Sequence, residues 1–177
     1  MRYLVILAAT ACLALPAVAQ SPAPAAKPTA TAAPVKAAKP AKAPTDPNLV
    51  LRESANSVKD TMDKLAKAVE AKGAKVVARV DHAAGAKVAG VDMKPSEVLI
   101  FGNPKLGTPV MAANVRAGID LPMKVLAYED AAGKVWVAYT KPGTMQRRYK
   151  LTSKEQTASV KAIGDALDGL TGAAIVK

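Results

Sequence analysis

The chain is poor in the residue types that most often carry out chemistry. Its 177 residues include one cysteine, Cys12, and one histidine, His82. Because Cys12 lies in a segment that we expect to be removed from the mature protein, thiol catalysis, disulfides and cysteine metal sites are excluded. A single histidine without a cluster of acidic residues at ligand spacing is also a poor metal site. The favoured interpretation therefore has no metal and no cofactor.

Aromatic side chains are scarce as well, at 3% of the chain, although Lys and Arg outnumber Asp and Glu by 25 to 14. The formal net charge of +11 is of the kind found in nucleic-acid-binding domains. However, a surface for single strands needs aromatic rings on which bases stack. The basic residues are also dispersed, apart from one cluster at Arg147, Arg148 and Lys150. We therefore predict no nucleic-acid partner.

The N-terminal sequence predicts export. Residues 1–19 place Arg2 before an apolar run over residues 4–15 and end in Ala-Val-Ala, which is the layout of a cleavable secretory signal. The run is shorter than the roughly 20 apolar residues that a membrane-spanning helix needs. The sequence thus predicts cleavage after Ala19, a periplasmic or secreted protein, and no transmembrane span after cleavage. An uncleaved anchor and a lipoprotein modified at Cys12 are the alternatives.

Residues 20–47 are almost entirely Ala, Pro, Lys and Thr, with Val35 as the one large apolar side chain. Such a segment buries too little apolar surface to offset the conformational entropy that it would lose on ordering. It predicts an extended, disordered linker. Four lysines make the linker basic, so that it either has weak contact with anionic polymers of the cell envelope or serves as a plain spacer: Lys27, Lys36, Lys39 and Lys42.

Residues 48–177 have the size of a single domain, and apolar residues spaced three and four apart predict its helices. A first helix is expected between a cap at Ser57 and a stop at Gly73, and a last helix after a capping box that begins at Ser153. A short helix is expected after His82, and a further one over residues 108–118. The predicted buried positions are Val58, Met62, Leu65 and Val69 in the first, Val110, Met111, Asn114 and Val115 in the third, and Val160, Ile163, Leu167 and Leu170 in the last.

Alternating and short apolar runs predict strands over residues 49–53, 75–82 and 97–102, and a hairpin around residues 131–133. In the second strand, alternation places Val76, Ala78, Val80 and His82 on one face. The order of elements predicts an α+β fold, with a single sheet of about five mixed or antiparallel strands and helices packed on one face.

The stretch LIFGNPKLGTPVM, residues 99–111, has glycines five positions apart and is close to a phosphate-binding loop. It lacks the lysine that such a loop places after its second glycine, because Thr108 stands there. Asn103 before Pro104 instead predicts the start of a helix, and a second start at Thr108 is the alternative. Free backbone N–H groups at a helix start, reinforced by Lys105, favour a bound anion. The stretch is thus either a structural turn or a ligand cradle.

Two longer segments resemble a known family. The segment VDHAAGAKVAGVDMKPSEVLIFGNPKLGTPVM and the following IDLPMKVLAYEDAAGKVWVAYTKP are similar to the domain-of-unknown-function family 302. The resemblance covers about residues 55–150 and implies a compact α+β domain that is often a homodimer, without an established activity. Family members often carry a histidine near the end of this region. Residues 145–149 read MQRRY here, so a site with two histidines is not expected.

The favoured function is an exported, non-catalytic, dimeric module that binds either a small ligand, for which an anion is the candidate, or a partner. The residues expected to line its site, near the strand ends, are His82, Asn103, Lys105 and Thr108. No nucleophile motif stands beside His82, which is why no catalytic residue is assigned. The alternatives are an enzyme that uses His82 as acid–base and a haem or metal carrier that uses His82 as a ligand.

Overall fold

The computed structural model describes residues 46–177. The predicted signal peptide, and all of the predicted linker except its last two residues, lie outside the described residues. The described part holds five strands, five α-helices and one 3-10 helix. In chain order they are β1 (Leu49–Ser54), α1 (Val58–Ala71), β2 (Lys75–Asp81), α2 (His82–Val88), β3 (Ser96–Gly102), α3 (Pro104–Ala113), a 3-10 helix (Val115–Ile119), β4 (Met123–Glu129), β5 (Val135–Thr140), α4 (Pro142–Arg148) and α5 (Lys154–Ile175).

The strands form one open sheet in the order β1-β5-β4-β3-β2, and every neighbouring pair is antiparallel. This confirms the predicted α+β fold with about five strands and fixes the sheet as wholly antiparallel. The strands β2 to β5 follow one another as neighbours, whereas β1 crosses to pair with β5. Both β1 and β2 therefore lie at edges of the sheet.

The core lies between one face of the sheet and the helices α1 and α5. On this face, Leu99, Val125 and Val137 are fully buried, because both helices pack against it. On the opposite face, Ile100, Leu126 and Trp136 are only half-buried. The alternation of a strand thus divides β3, β4 and β5 into a covered side and an open side.

The two long helices begin as the sequence predicts, and α1 also ends at the predicted stop. The Ser57 hydroxyl accepts a hydrogen bond from the Asp60 N–H at 3.1 Å, and Gly73 follows α1 with a φ of 68°. Ser153 and Gln156 form a complete capping box at the start of α5. All eight apolar positions predicted for these two helices are buried. Local chemistry therefore sets both helices in place, and packing of their apolar faces stabilises them.

The predicted alternation of the second strand is wrong. Val76 pairs with Phe101 and Ala78 with Ile100, so the extra residue Val77 forms a bulge. The bulge reverses the alternation, and Val76 and Ala78 lie on opposite faces of the sheet. The strand also ends at Asp81, one residue before His82.

The predicted helix over residues 108–118 is also wrong in extent. The helix α3 begins at Pro104 and ends at Ala113, since Asn114 is extended with a φ of −151°. Asn114 then caps the 3-10 helix, which leaves Val115 81% exposed rather than buried. The short helix α4, which has Pro142 at its first position, was not predicted.

Hydrogen bonds join the first strand, β1, and the residues after it to the last helix, α5. The Arg52 guanidinium donates to the Asp168 carboxylate at 2.9 Å, and the Tyr139 hydroxyl donates to the same carboxylate. Burial, together with this hydrogen bond, raises the pKa of Tyr139 to about 12. The Asn56 amide donates to the Ala174 and Val176 carbonyls at 3.1 and 2.8 Å. The strand β1 is thus fastened to α5 as well as to β5.

A charged network joins α1 to the edge of the sheet. The Arg79 guanidinium donates to the carboxylates of Asp63 on α1 and Glu97 on β3, and Lys59 donates to Asp63 at 2.7 Å. Hydrogen bonds from Arg79 and Lys59 lower the pKa of the Asp63 carboxyl from 3.8 to about 2. The network therefore favours the carboxylate form of Asp63 in the folded state.

Asp63→Asn is expected to reduce the loss of stability that acid causes. A carboxyl with a lowered pKa in the folded state contributes stability fully above its unfolded pKa, and this contribution disappears as the pH falls through its folded pKa. For Asp63 this window runs from 3.8 down to about 2. We expect the variant to be less stable at pH 7 and to lose less free energy of unfolding between about pH 5 and pH 3, as measured by urea unfolding. Glu70→Gln, an exposed position of the same helix, is the control, and equal losses in all three proteins would contradict the prediction.

Candidate functional site

The stretch around Asn103 is a tight strand-to-helix turn. The Asn103 side chain accepts a hydrogen bond from the Lys105 N–H at 3.0 Å. The Asn103 carbonyl accepts from the N–H groups of Leu106 and Gly107 at 2.9 and 3.0 Å. Pro104, which has no N–H, occupies the first helical position. Asn103 is therefore the cap that the sequence predicts, and the alternative start at Thr108 is not used.

These bonds leave the first turn of α3 without a free backbone donor. An anion at a helix N-terminus is held by N–H groups that have no partner within the protein. Here the N–H groups of Lys105, Leu106 and Gly107 are all engaged. This turn therefore has no free backbone N–H group with which to form a phosphate loop or an anion cradle.

A cavity of about 670 Å³ lies beside this turn. We call it the α3/α5 cavity, because α3 and α5 form two of its walls, and the end of α1, the start of β2, the end of β3 and the start of β4 complete it. Phe101, Ile163 and Leu167 are buried residues of the core that also line it. Most of the remaining lining is apolar, with half-buried side chains that include Leu106, Met111, Leu121 and Met123. The cavity is thus an extension of the hydrophobic core that opens to the surface.

Polar groups are confined to the rim of the cavity. Asn103 and Thr108 lie on the α3 side, and Asp165 lies on the α5 side. Lys72 and Lys75 lie where α1 ends and β2 begins. The Lys161 ammonium donates to the Asp165 carboxylate at 2.6 Å. The arrangement suits a largely apolar molecule whose polar end remains at the opening.

The structure brings together two of the four residues predicted for the site. Asn103 and Thr108 both line the α3/α5 cavity. Lys105 is exposed on the same helix but does not line the cavity. His82 follows the opposite end of β2, because Lys75 pairs with Gly102 and Asp81 pairs with Glu97. At roughly 3.3 Å per residue, His82 lies about 20 Å from the cavity end of that strand.

His82 occupies an exposed position at the start of α2. The Asp81 carboxylate accepts a hydrogen bond from the Ala84 N–H at 2.9 Å, so Asp81 rather than His82 caps the helix. His82 is therefore neither a buried residue at the edge of the core nor the cap of α2. Asn103 lies at the cavity and the Tyr139 hydroxyl donates to Asp168, so neither side chain is hydrogen-bonded to His82. Within residues 46–177, no three His, Cys, Asp or Glu side chains come together as a metal site.

The residues that sequence reasoning missed lie on α5 and before β4. Ala166 and Gly169 line the cavity and fill little of it, and a Cβ on Gly169 would meet no atom within 4 Å. Leu121 and Pro122 close another side. Small residues within an amphipathic helix are a weak signal of unfilled space. The contribution of β4 has no local signal, because it depends on how the strands pair.

Part of the chain is similar in sequence to longer proteins from Brucella species. Proteins named "Fluoride-specific ion channel FluC 1" from Brucella suis biovar 1 and "Fluoride-specific ion channel FluC 2" from Brucella melitensis biotype 1 are each 42% identical to it over 118 residues. The matched segment covers 67% of this chain but only 46% and 43% of these two relatives. The chain therefore spans less than half the length of the curated relatives it matches. In the part of this chain that the structure describes, no helix is both long and apolar enough to cross a membrane.

The fold and the sequence agree on the family. A crystal structure described as an uncharacterized conserved protein DUF302 from Bacillus stearothermophilus superposes with a TM-score of 0.64. It is 17% identical, and the match covers 72% of this chain and 98% of that one, so the likeness shows the fold alone. The sequence pattern of the family described as "Domain of unknown function DUF302" matches residues 50–170. Since this match includes the sheet, the turn at Asn103 and most of α5, the chain belongs to the DUF302 family.

Proposed function

We propose that this chain is an exported, non-catalytic binding module that holds a small, largely apolar molecule in the α3/α5 cavity and acts as a homodimer. The observation that carries the proposal is the cavity, whose volume is about 670 Å³. Small-molecule sites have volumes of roughly 300–1,000 Å³, with apolar walls and a few polar groups that orient the ligand. Asn103 and Thr108 are such polar groups at the rim.

The position of His82 supports a binding role over a catalytic one. The one histidine of the chain is exposed and lies about 20 Å from the cavity end of β2. Tyr139 and Asp168 could have served as an acid and a base, but they are engaged with each other and with Arg52. Export is supported by the signal layout of residues 1–19 and the linker that follows.

The open face of the sheet supports the homodimer. Half-buried apolar side chains from four neighbouring strands lie on it, including Leu51, Ile100, Leu126 and Trp136. Five strands at about 4.8 Å and six residues at about 3.3 Å give this face a planar area of roughly 480 Å². A standard interface takes roughly 800 Å² of accessible surface from each partner. A second copy would therefore cover the whole face and part of its rim.

Filling the cavity is expected to weaken ligand binding strongly. The probe is Nile red, an uncharged apolar dye whose fluorescence rises on leaving water. The mature chain should bind it with saturable fluorescence, whereas Ala166→Trp, which places an indole in the α3/α5 cavity, should weaken binding at least tenfold. Ala158→Trp adds the same side chain at an exposed position of α5 and is the matched control.

Native mass spectrometry of the untagged mature protein completes the test. A dimer that retains a small mass, with the same mass lost in Ala166→Trp, is the expected result. An absorption spectrum and metal analysis of the same sample test the alternative, a haem or metal at His82. Failure of the folded mature chain to bind Nile red, or equal binding by Ala166→Trp, would overturn the cavity as the site, and a monomer at micromolar concentration would overturn the dimer.

A further inference from the structure

We infer that the ligand of the α3/α5 cavity is a single-chain anionic amphiphile, with its alkyl chain in the cavity and its anionic head group at Lys72 and Lys75. This inference rests on the proposed function, because it assigns the chemical class of the same ligand. Four features of the cavity and its rim carry it.

The first feature is a pair of lysines on one side of the opening. Lys72 caps the C-terminal end of α1, Gly73 turns the chain with a φ of 68°, and Lys75 begins β2. Both lysines line the cavity and are exposed. Lysine side chains lay their aliphatic stems along apolar surface and keep the ammonium group in water. The turn thus places two ammonium groups beside the mouth of an apolar cavity.

The second feature is that these two charges have no anionic partner in the part of the chain that the structure describes. Neither Lys72 nor Lys75 forms a salt bridge or a side-chain hydrogen bond with another residue of the described range, 46–177. The nearby carboxylate on the rim, Asp165, is already paired with Lys161. The rim therefore carries a net positive charge on the side of α1, and an anionic head group is its complement.

The third feature is the state of the carbonyl groups at the end of α1, which would otherwise oppose an anion. The carbonyls of Ala68, Val69 and Glu70 accept hydrogen bonds from the N–H groups of Lys72, Ala74 and Gly73. Their partial negative charge is thus largely satisfied within the turn. Three of the carbonyls at this helix end are thus engaged, which reduces the number of free acceptors that a head group at the two lysines meets.

The fourth feature is the chemistry of the walls. Beyond the rim, Ile163 and Leu167 of α5 and Phe101 of β3 form an apolar floor. The opposite rim offers only neutral groups, the Asn103 amide and the Thr108 hydroxyl, because the backbone donors of α3 are engaged. An alkyl chain matches the floor, and a charge is favoured on the lysine side alone.

The experiment compares three ligands that share one alkyl chain. Decanoate, decanol and decylammonium, all below their micellar concentrations, displace Nile red from the mature chain. We expect decanoate to bind most tightly and decylammonium least tightly. The double variant Lys72→Gln and Lys75→Gln should weaken decanoate binding about tenfold, the size expected for two exposed ion pairs, and leave decanol unchanged. Lys67→Gln with Lys87→Gln removes the same charge at two exposed positions outside the cavity lining and is the matched control.

The outcomes separate this inference from the proposed function. Decanol that binds as tightly as decanoate, or decanoate binding that both double variants weaken equally, would overturn the anionic head group and leave the cavity as a site. Displacement by none of the three ligands, together with no Nile red binding, would overturn both. The alternative source of an anionic head group is a membrane. In that case the mature chain would cosediment with phosphatidylglycerol vesicles and the Lys72→Gln and Lys75→Gln double variant would not. This result would overturn the free single-chain amphiphile.

Discussion

Leu65→Ala is expected to lower the free energy of unfolding by about 2–5 kcal/mol. The Leu65 side chain has an exposure of 0% and lies on the buried face of α1 with Met62 and Val69. Truncation removes apolar contacts and leaves a void that a close-packed core closes only in part. Because both α1 and the sheet face of the core have fixed positions, the surrounding side chains have little freedom to fill the void.

Urea unfolding followed by the fluorescence of Trp136, the one tryptophan of the chain, measures this loss. Trp136 is a suitable reporter because its indole N–H donates to the Asp130 carboxylate at 2.8 Å and holds the ring in one place. Lys67→Ala, an exposed position of the same helix, is the control and should change stability by less than about 0.5 kcal/mol. A midpoint that Leu65→Ala leaves in place would contradict the packing of α1 described above.

Leu167→Ala is expected to cost less, about 2–3 kcal/mol, at the lower end of the range for such truncations. Leu167 is 1% exposed, so its side chain also belongs to the core. Unlike Leu65, however, it lines the α3/α5 cavity, so the half-buried side chains around that cavity can relax into part of the void. The cost of a truncation is lower where the site can collapse.

The two truncations should differ more clearly in ligand binding than in stability. Leu167→Ala widens the α3/α5 cavity and should change the affinity for Nile red, whereas Leu65→Ala leaves the cavity walls intact and should not. Titration of each folded variant with the dye, below its unfolding midpoint, measures the difference. Equal affinities in Leu167→Ala and the parent chain would show that the dye does not reach the floor of this cavity.

The parts of the fold that sequence predicted are those with local causes. Ser57 and Ser153 begin the two long helices through hydrogen bonds to residues three positions away, and such bonds can be read from short segments. Asn103 and Pro104 predicted the start of α3 for the same reason. The hairpin between β4 and β5 follows from Gly133, whose φ of 82° suits a tight turn.

The parts that sequence missed depend on distant residues. The bulge at Val77 is defined by the register with β3, and nothing in the run KVVARV marks it. Val115 is exposed because one residue before it, Asn114, is extended, although the sequence pattern around it otherwise suits a helix. Of the residues predicted for the candidate site, Asn103 and Thr108 line the α3/α5 cavity, and both belong to the stretch at residues 99–111. The rest of the site, with Lys72, Lys75 and α5, is brought to the turn only by packing.

The pairing of β1 with β5 determines how late in synthesis the sheet can be completed. Leu49 finds its partner, Thr140, about 90 residues later in the chain, and Asn56 bonds to carbonyls at the far end of α5. At roughly 5–20 residues per second, the first strand waits on the order of 5–20 seconds during synthesis before its partner exists. Throughout that interval the N-terminal part of the domain has no finished sheet to join. For a chain that is exported as we propose, this delay keeps the domain unfolded, and therefore able to cross a membrane as an extended chain, while its N-terminal signal is being recognised.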